Sequence, residues 1–237
     1  MKILKAYIVW LTVVLLLPAF HVKAVTNPYA IVEVTGPQGK QLSYTALLNI
    51  ARRQGLPASA VYRWDNHLIV YGKHLNATSI QKSAQAAYPS CQVTVYNNPF
   101  YDFNRAQRCG GNGLAKQWDN IILTANLVAD ERLQQEYIDY HATQFKNWPE
   151  VSKGFCNAGF QQLLVFRNGR RLMLVISIPK GKKLDDLNPK TIENNPRVND
   201  WNRLMKKYQE GVPGTRKGEV WVFFKQVTDN SDTKRSL

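Results

Sequence analysis

The chain has 237 residues, a formal charge of +14 and a hydrophobic content of 44%. This length is enough for one or two domains with a buried core. The three Cys and four His residues show no spacing typical of a metal site, which excludes the common Cys/His metal-binding modules. The positive charge is compatible with nucleic acid, anionic envelope polymers or lipid as partners, although solubility is the simpler reason for it.

Residues 1–24 form the first recognisable segment. Two lysines precede the apolar run 7–20, and small residues follow it at a plausible cleavage site. This pattern is typical of a secretory signal peptide. An uncleaved membrane anchor is the alternative, but the run is shorter than the roughly 20 apolar residues of a spanning helix, and Pro18 interrupts it. We therefore expect a mature protein that begins near Val25, is periplasmic or secreted, and has no stable membrane insertion after cleavage.

Residues 25–97 show a pattern of alternating strands and helices. A β-branched segment opens it, an amphipathic helix follows, and Asp65-Asn66 marks a tight hairpin turn between two strands. The predicted elements are a strand at 30–35, a helix at 42–54, strands at 60–64 and 67–71, a helix at 78–88 and a strand at 92–96. The order βαββαβ is that of a ferredoxin-like module.

Residues 119–227 repeat this order. Asp130 is placed to cap the first helix by accepting a hydrogen bond from an early backbone N–H, and Asn168-Gly169 is a strong hairpin signal. A second helix start, with a proline, lies at 147–150. The predicted elements are a strand at 120–127, two helices between 130 and 158, strands at 162–167 and 172–178, a helix at 199–208 and a strand at 219–227. We therefore expect an α+β protein with tandem ferredoxin-like modules.

The segments outside the two modules carry weaker signals. Residues 98–118, rich in Asn, Gly, Pro and Tyr, are predicted to be a linker or surface loop, and residues 228–237 a flexible tail. Each module has one sheet face without helices, and such an apolar face must be buried. We expect the two halves to pack sheet to sheet as an intramolecular pseudo-dimer, or each half to pack against a second chain in a homodimer.

The cysteines of an exported chain predict one disulfide bond. Cys91 and Cys109 both lie near the end of the first half and are the expected pair. Cys156 lies in a helical stretch and is predicted to be a small, buried apolar residue.

The residues most suggestive of chemistry are Tyr137 and His141. Their spacing of four places a phenol and an imidazole on one face of a helix. Histidine exchanges protons near physiological pH, so the pair indicates proton transfer on a small polar ligand. A histidine beside tyrosines on a helix is by itself more often a packed side chain.

A larger combination of residues surrounds this pair. Glu136-Tyr137-x-x-x-His141, Trp148-Pro149-Glu150, Gly159, the hairpin strands, Asp200-Trp201 and the closing strand Glu219-Val-Trp-Val-Phe occur in that order. This combination resembles the L-rhamnose mutarotase family of small dimeric α+β barrel proteins. The resemblance covers about residues 119–227 and leaves the first half outside.

The resemblance implies an aldose 1-epimerase that interconverts the α and β anomers of L-rhamnose, or of a related deoxy sugar, by ring opening. This chemistry needs an acid and a base. It needs neither a metal ion nor a cofactor. By the family pattern His141 is the catalytic proton donor. Tyr137 is expected to hydrogen-bond the sugar, Trp201 to offer its flat face to the C–H side of the sugar, and Asn202 to contact the sugar as well.

Leu163 departs from the family pattern. The family commonly places a tyrosine four residues after the glycine that ends the helix, and Leu163 stands at that position. Asp139, Gln161 and Gln162 are candidate substitutes for the missing group. Without a substitute, we expect a non-catalytic sugar-binding or interaction module.

Two other functional classes suit this type of fold. Single-stranded RNA binding is compatible with a basic, aromatic-rich pair of modules, but no stretch matches the aromatic RNA-binding signature, and export argues against it. We therefore expect no nucleic-acid partner. A haem-degrading oxygenase requires a histidine in an apolar pocket, and the polar neighbours of His141 fit a sugar better.

Overall fold

The computed structural model describes residues 28–228, so the predicted signal peptide and nearly all of the predicted tail lie outside the described residues. Two antiparallel sheets form the molecule, one for each predicted module. The first half contains β1 (Tyr29–Thr35), α1 (Thr45–Arg53), β2 (Val61–Trp64), β3 (His67–Lys73), α2 (Ala77–Ala87) and β4 (Gln92–Asn97). Each element predicted for this half is present within a few residues of its predicted bounds.

The second half contains more elements than predicted. They are β5 (Tyr101–Asn104), α3 (Arg105–Arg108), β6 (Trp118–Leu127), α4 (Glu131–Asn147), α5 (Pro149–Asn157), β7 (Gln162–Asn168), β8 (Arg171–Pro179), α6 (Leu184–Leu187), α7 (Pro196–Met205), β9 (Gln209–Glu210), β10 (Val222–Phe223) and β11 (Lys225–Gln226). Asp130 caps α4 as predicted, since its carboxylate accepts hydrogen bonds from the backbone N–H groups of Arg132 and Leu133. Among the described residues, no helix is long and apolar enough to cross a membrane.

Both sheets contain the strand order of a ferredoxin-like fold. The first runs β11-β2-β3-β1-β4, the second runs β10-β6-β8-β7-β5, and β9 pairs with β6. The predicted hairpin turns join β2 to β3 and β7 to β8. Asp65, with a φ of 45°, and Gly169, with a φ of 55°, take the positive φ that these turns require. The prediction of tandem ferredoxin-like α+β modules is confirmed.

The two sheets bury their helix-free faces against each other. Ile31, Ile69 and Tyr96 of the first sheet form one hydrophobic cluster with Leu164 and Phe166 of the second. All five side chains are fully buried. Removing such apolar surface from water stabilises the fold by roughly 25 cal/mol per Å². The expected sheet-to-sheet packing thus occurs within one chain.

Each sheet also receives an edge strand from beyond its own module. β5 lies in the segment 98–118, yet it pairs with β7, where Tyr101 is opposite Val165. The closing strand predicted at 219–227 is divided, because β10 pairs with β6 and β11 crosses to β2. An unpaired edge strand exposes backbone N–H and C=O groups. β5 provides hydrogen-bond partners for these groups on β7, and β11 provides them on β2. The prediction of a linker or surface loop is therefore wrong for β5 and α3.

The disulfide bond joins Cys109 to Cys156, so the predicted pairing of Cys91 with Cys109 is wrong. Cys109 directly follows α3, which packs against α5, and the Cα atoms of Cys109 and Cys156 are 5.7 Å apart. Cys91 is a free, buried residue in the core formed with α1 and α2. The pairing depends on α3, which the sequence patterns did not predict.

We expect the double variant Cys109→Ser/Cys156→Ser to lose about 2–4 kcal/mol of unfolding free energy. The bond spans a sequence separation of 47, and without it the unfolded chain gains conformational freedom. Urea denaturation at neutral pH measures the change. Cys91→Ala, which removes a buried sulfur outside the disulfide, is the control, with an expected loss of about 1 kcal/mol. An equal loss in both variants would show that the cross-link contributes nothing of its own.

Candidate functional site

A cavity of about 510 Å³ lies between the helices of the second module and its sheet. Side chains of α4, α5 and α7 form one wall, and side chains of β5, β7 and β8 form the other. The polar side chains along it include Tyr101, Tyr137, His141, Asn202, Lys206 and Gln209. A concave, mostly apolar cavity with a few convergent polar groups is the usual form of a small-molecule site.

His141 is held as a neutral base in this cavity. Its Nδ1 lies 2.8 Å from the carbonyl oxygen of Tyr137. A carbonyl oxygen only accepts, so Nδ1 carries the hydrogen and Nε2 keeps its lone pair in the neutral ring. Burial lowers the pKa of His141 from 6.5 to about 4, and the bond to the Tyr137 carbonyl opposes this shift only in part. The imidazole is therefore neutral at physiological pH.

Tyr137 is held with its hydroxyl hydrogen available to a ligand. The indole N–H of Trp221 donates to Oε1 of Gln209 at 3.1 Å. An indole only donates, so Nε2 of the Gln209 amide faces the other way, and it donates to the Tyr137 hydroxyl oxygen at 3.1 Å. Burial raises the pKa of Tyr137, and the Gln209 bond offsets a part of this. The phenol therefore stays protonated, with its oxygen already accepting a hydrogen bond.

Trp201 and Asn202 complete the set of predicted site residues. The ring of Trp201 lies 5.2 Å from the His141 ring in an edge-to-face arrangement. Asn202 follows it on α7, where it is exposed and borders the same cavity. The structure thus brings His141, Tyr137, Trp201 and Asn202 to one cavity, and their roles stay predictions.

The position of the missing family tyrosine also borders the cavity. Leu163 of β7 lies there and offers no polar group. None of the three predicted substitutes borders the cavity. Asp139 is on the exposed side of α4, Gln161 bonds to the backbone of Gly113 and Ala115, and Gln162 lies beside Asp102. These three side chains are therefore not placed to replace the phenol.

Tyr101 and Gln209 are cavity residues that the sequence patterns did not single out. Tyr101 and Phe103 are buried and alternate with exposed or half-buried neighbours, which is the period of a strand. In the segment predicted to be a linker, the alternation of apolar and polar residues in Tyr101–Asn104 is therefore the local feature that indicates a strand. Gln209 lies on the two-residue strand β9 and carried no local signal.

The arrangement as a whole places a hydrogen-bond acceptor beside a donor. The ring centroids of Tyr137 and His141 are 4.2 Å apart, so both groups can reach one small ligand. Such a pair can take a proton from one atom and give a proton to another. Between residues 28 and 228, no group of three or more His, Cys, Asp or Glu side chains is arranged to hold a metal ion. The fold and the cavity define an α+β barrel protein with a concave site suited to proton transfer.

Comparisons with known proteins identify the family within this class. The family model described as L-rhamnose mutarotase matches residues 121–229. The chain is 31% identical to the L-fucose mutarotase of Xanthomonas campestris pv. campestris over 106 residues, which are 43% of this chain and 79% of that protein. It is also 31% identical to a UPF0734 protein of Dictyostelium discoideum over 105 residues, which are 40% of this chain and 77% of that protein. The chain therefore belongs to the L-rhamnose mutarotase family.

Two solved structures align with most of this chain but have little sequence in common with it. A ferredoxin-fold protein of Listeria monocytogenes, described as related to antibiotic biosynthesis monooxygenases, covers 86% of this chain and 97% of its own at 9% identity and a TM-score of 0.41. A putative chlorite dismutase, TA0507, covers 87% of this chain and 97% of its own at 10% identity and a TM-score of 0.44.

Proposed function

We propose that this protein is a mutarotase, an aldose 1-epimerase that interconverts the α and β anomers of L-rhamnose or a related 6-deoxy sugar. The observation that carries the proposal is the pair formed by the Tyr137 hydroxyl and the His141 Nε2 in one cavity. Opening an aldose ring requires one group to accept the proton of the anomeric hydroxyl and another to protonate the ring oxygen. Membership of the L-rhamnose mutarotase family supports this chemistry.

In this proposal His141 opens the ring as a base. Its Nε2 accepts the proton of the anomeric hydroxyl, and the bond between C1 and the ring oxygen breaks with its electron pair moving to that oxygen. Tyr137 donates its phenolic proton to the ring oxygen. The Gln209 N–H, which already donates to the Tyr137 oxygen, stabilises the phenolate that forms.

The same two residues close the ring on the opposite face. The open-chain aldehyde rotates about its C1–C2 bond, and the released hydroxyl attacks C1 again. The Tyr137 oxygen recovers its proton from that hydroxyl, and the imidazolium of His141 protonates the former carbonyl oxygen. His141 is thus the base during opening and the proton donor during closure, which includes the role that the family pattern implies.

The apolar walls of the cavity support a deoxy sugar as the ligand. A 6-deoxy sugar carries a methyl group and apolar C–H faces beside its hydroxyls. The ring of Trp201 and the side chains of Leu163 and Val165 offer apolar surface to these parts. A volume of about 510 Å³ lies within the range of small-molecule sites.

We also propose that the protein functions in the periplasm or outside the cell. The amino-terminal pattern of residues 1–24 supports export. The bond between Cys109 and Cys156 supports it independently, because disulfide bonds form and persist mainly in oxidising compartments.

Exchange NMR of the anomeric protons tests the proposed activity. With L-rhamnose or L-fucose, the purified protein is expected to raise the exchange rate well above the spontaneous rate. L-mannose, which differs from L-rhamnose by a hydroxyl at C6, is the matched sugar and is expected to exchange more slowly because that hydroxyl would lie against apolar walls. Anomer exchange at the spontaneous rate with all of these sugars would contradict the proposed mutarotase activity.

A non-catalytic sugar-binding module is the second candidate, and Leu163 in place of the family tyrosine favours it. Trp201 and Trp221 border the cavity, so tryptophan fluorescence reports on a bound sugar. Saturable quenching by L-rhamnose without faster anomer exchange would identify the module.

A further inference from the structure

A phenol from outside the family-matched region lies beside the position that lacks one. Tyr101 belongs to β5, whereas the family model matches residues 121–229. In the antiparallel pair of β5 and β7, Tyr101 is opposite Val165 and Phe103 is opposite Leu163. Tyr101 is therefore the diagonal neighbour of Leu163 on the same sheet face, at about 7–8 Å, which a tyrosine side chain can span. Both side chains border the cavity.

The Tyr101 ring is fixed in place against the catalytic pair. It lies 5.3 Å from the His141 ring, edge to face, and stacks on Phe145 at 5.3 Å with an interplanar angle of 13°. The guanidinium of Arg108 covers the Phe145 ring at 3.7 Å. A ring packed on both sides in this way keeps its hydroxyl in one position.

The hydrogen-bond partners of Tyr101 leave its oxygen able to accept. Nε2 of Gln144 donates to the carbonyl oxygen of Trp148 at 2.6 Å, so Oε1 of the Gln144 amide faces Tyr101. The Tyr101 hydroxyl donates to this Oε1 at 2.7 Å. Its hydrogen is committed to Gln144, and its oxygen lone pairs remain for a ligand hydroxyl. Burial raises the pKa of Tyr101, although the charge of Arg108 opposes this, so the phenol stays neutral.

The segment that carries Tyr101 is anchored to the second module after the strand ends. The Arg105 guanidinium donates to the carbonyl oxygens of Cys156 and Phe160. The disulfide bond from Cys109 to Cys156 adds a covalent link to α5. Contacts of this kind restrict the position of β5, and with it the position of the Tyr101 oxygen, relative to the cavity.

We propose that Tyr101 is a substrate-binding residue that replaces the family phenol absent at Leu163. Its oxygen accepts a hydrogen bond from a hydroxyl group of the sugar and thereby positions the ring for the Tyr137 and His141 pair. Tyr101 exchanges no proton with the sugar in this role. The inference rests on the proposed mutarotase function and assigns part of that site to the strand between the two modules.

Tyr101→Phe tests this role with little change in packing. The ring stacked on Phe145 is retained and only the hydroxyl is lost. We expect kcat/KM for anomer exchange to fall about 10-fold, mainly through a higher KM, because a sugar hydroxyl loses its acceptor. Wild-type kcat/KM in this variant overturns the proposal.

A rescue variant separates positioning of the sugar from a structural role. In Tyr101→Phe/Leu163→Tyr a phenol returns at the family position, and we expect at least a 3-fold recovery of kcat/KM over Tyr101→Phe, a modest part of one hydrogen bond. A structural role of Tyr101 predicts no recovery. Tyr88→Phe is the matched control, since its buried hydroxyl donates to the Ser43 carbonyl in the first module, and its kcat/KM is expected to be unchanged.

Two further measurements keep the test decisive. If the wild-type protein does not catalyse exchange, the proposed activity fails. The affinity for L-rhamnose, measured by tryptophan fluorescence, then tests the role of Tyr101. Weaker binding by Tyr101→Phe than by the wild type supports the proposal, and equal binding by the two, or no binding by either, overturns it.

If Tyr101→Phe does not fold, a crystal structure of the unmodified protein with L-rhamnose decides. A sugar hydroxyl within about 3 Å of the Tyr101 oxygen supports the proposal, and a larger distance overturns it.

Discussion

Replacing His141 with asparagine is expected to lower kcat/KM for anomer exchange by about 10²- to 10⁴-fold, the usual contribution of positioned proton transfer. The asparagine amide can still donate to the Tyr137 carbonyl from near the position of Nδ1, but the variant has no group in place of Nε2. Exchange NMR with L-rhamnose measures the effect. His67→Asn is the control, since His67 is also buried but contacts Glu33 in the first module, away from the cavity. Equal losses in the two variants, both folded, would contradict a catalytic role of His141.

The pH dependence of the wild-type protein tests the same assignment. Burial lowers the pKa of His141 to about 4, so the neutral base is present from neutral pH down to about pH 5. We expect kcat/KM to stay level over this interval and to fall as the pH approaches 4. Circular dichroism at each pH establishes that the protein is folded. A decline centred near pH 6.5 would show that His141 titrates as an exposed histidine.

Replacing Glu33 with alanine is expected to reduce the free energy of unfolding by about 2–6 kcal/mol, because two buried polar side chains each lose a hydrogen-bond partner at a cost of about 1–3 kcal/mol. Glu33 is 3% exposed, and its carboxylate contacts His67 Nδ1 at 2.8 Å and accepts a hydrogen bond from the Tyr96 hydroxyl at 2.7 Å. In the variant the side chains of His67 and Tyr96 stay buried but lose the carboxylate as their hydrogen-bond partner. Urea denaturation at pH 7 measures the loss. Asp200→Ala, which removes an exposed partner of Arg203, is the control and is expected to cost less than about 1 kcal/mol.

The contacts of the Glu33 carboxylate also predict how acid affects the stability of the protein. Burial favours the protonated carboxyl, but the hydrogen bond and charge of His67, the charge of Arg171 and the Tyr96 hydrogen bond outweigh it, so the pKa of Glu33 is lowered. A lowered folded-state pKa stabilises the protein above the unfolded pKa of 4.5, and this contribution is lost as the pH falls through the folded value. Glu33→Gln is expected to remove this part of the acid dependence. An unchanged acid dependence in the variant would contradict the assignment.

The regular elements were predictable because their signals are local. The cap at Asp130 and the hairpins at Asp65-Asn66 and Asn168-Gly169 each depend on residues within a few positions of one another. The repeated βαββαβ order follows from hydrophobic periodicity, which is also local. The order of motifs around Tyr137 and His141 was enough to indicate the family.

The missed features all depend on contacts between residues distant in the chain. β5 is a four-residue strand that pairs with β7, about 60 residues away, and its alternation of apolar and polar residues is too short to distinguish it from a loop without that partner. The pairing of Cys109 with Cys156 follows from the position of α3 beside α5. The divided closing strand depends on two sheet edges that exist only in the folded protein.

The sequence by itself determined two α+β modules, the family of the second, and a phenol and an imidazole on one helix face. Only the tertiary structure decided the protonation of that pair, because burial keeps the His141 imidazole neutral. The hydrogen bonds from Trp221 to Gln209 and from Gln209 to Tyr137 leave the hydroxyl hydrogen of Tyr137 available. It also decided that Tyr101 stands beside Leu163, since an edge strand takes its position from the sheet that it joins. Protonation and strand pairing depend on the surroundings of a residue in space, and these are set when the two sheets assemble.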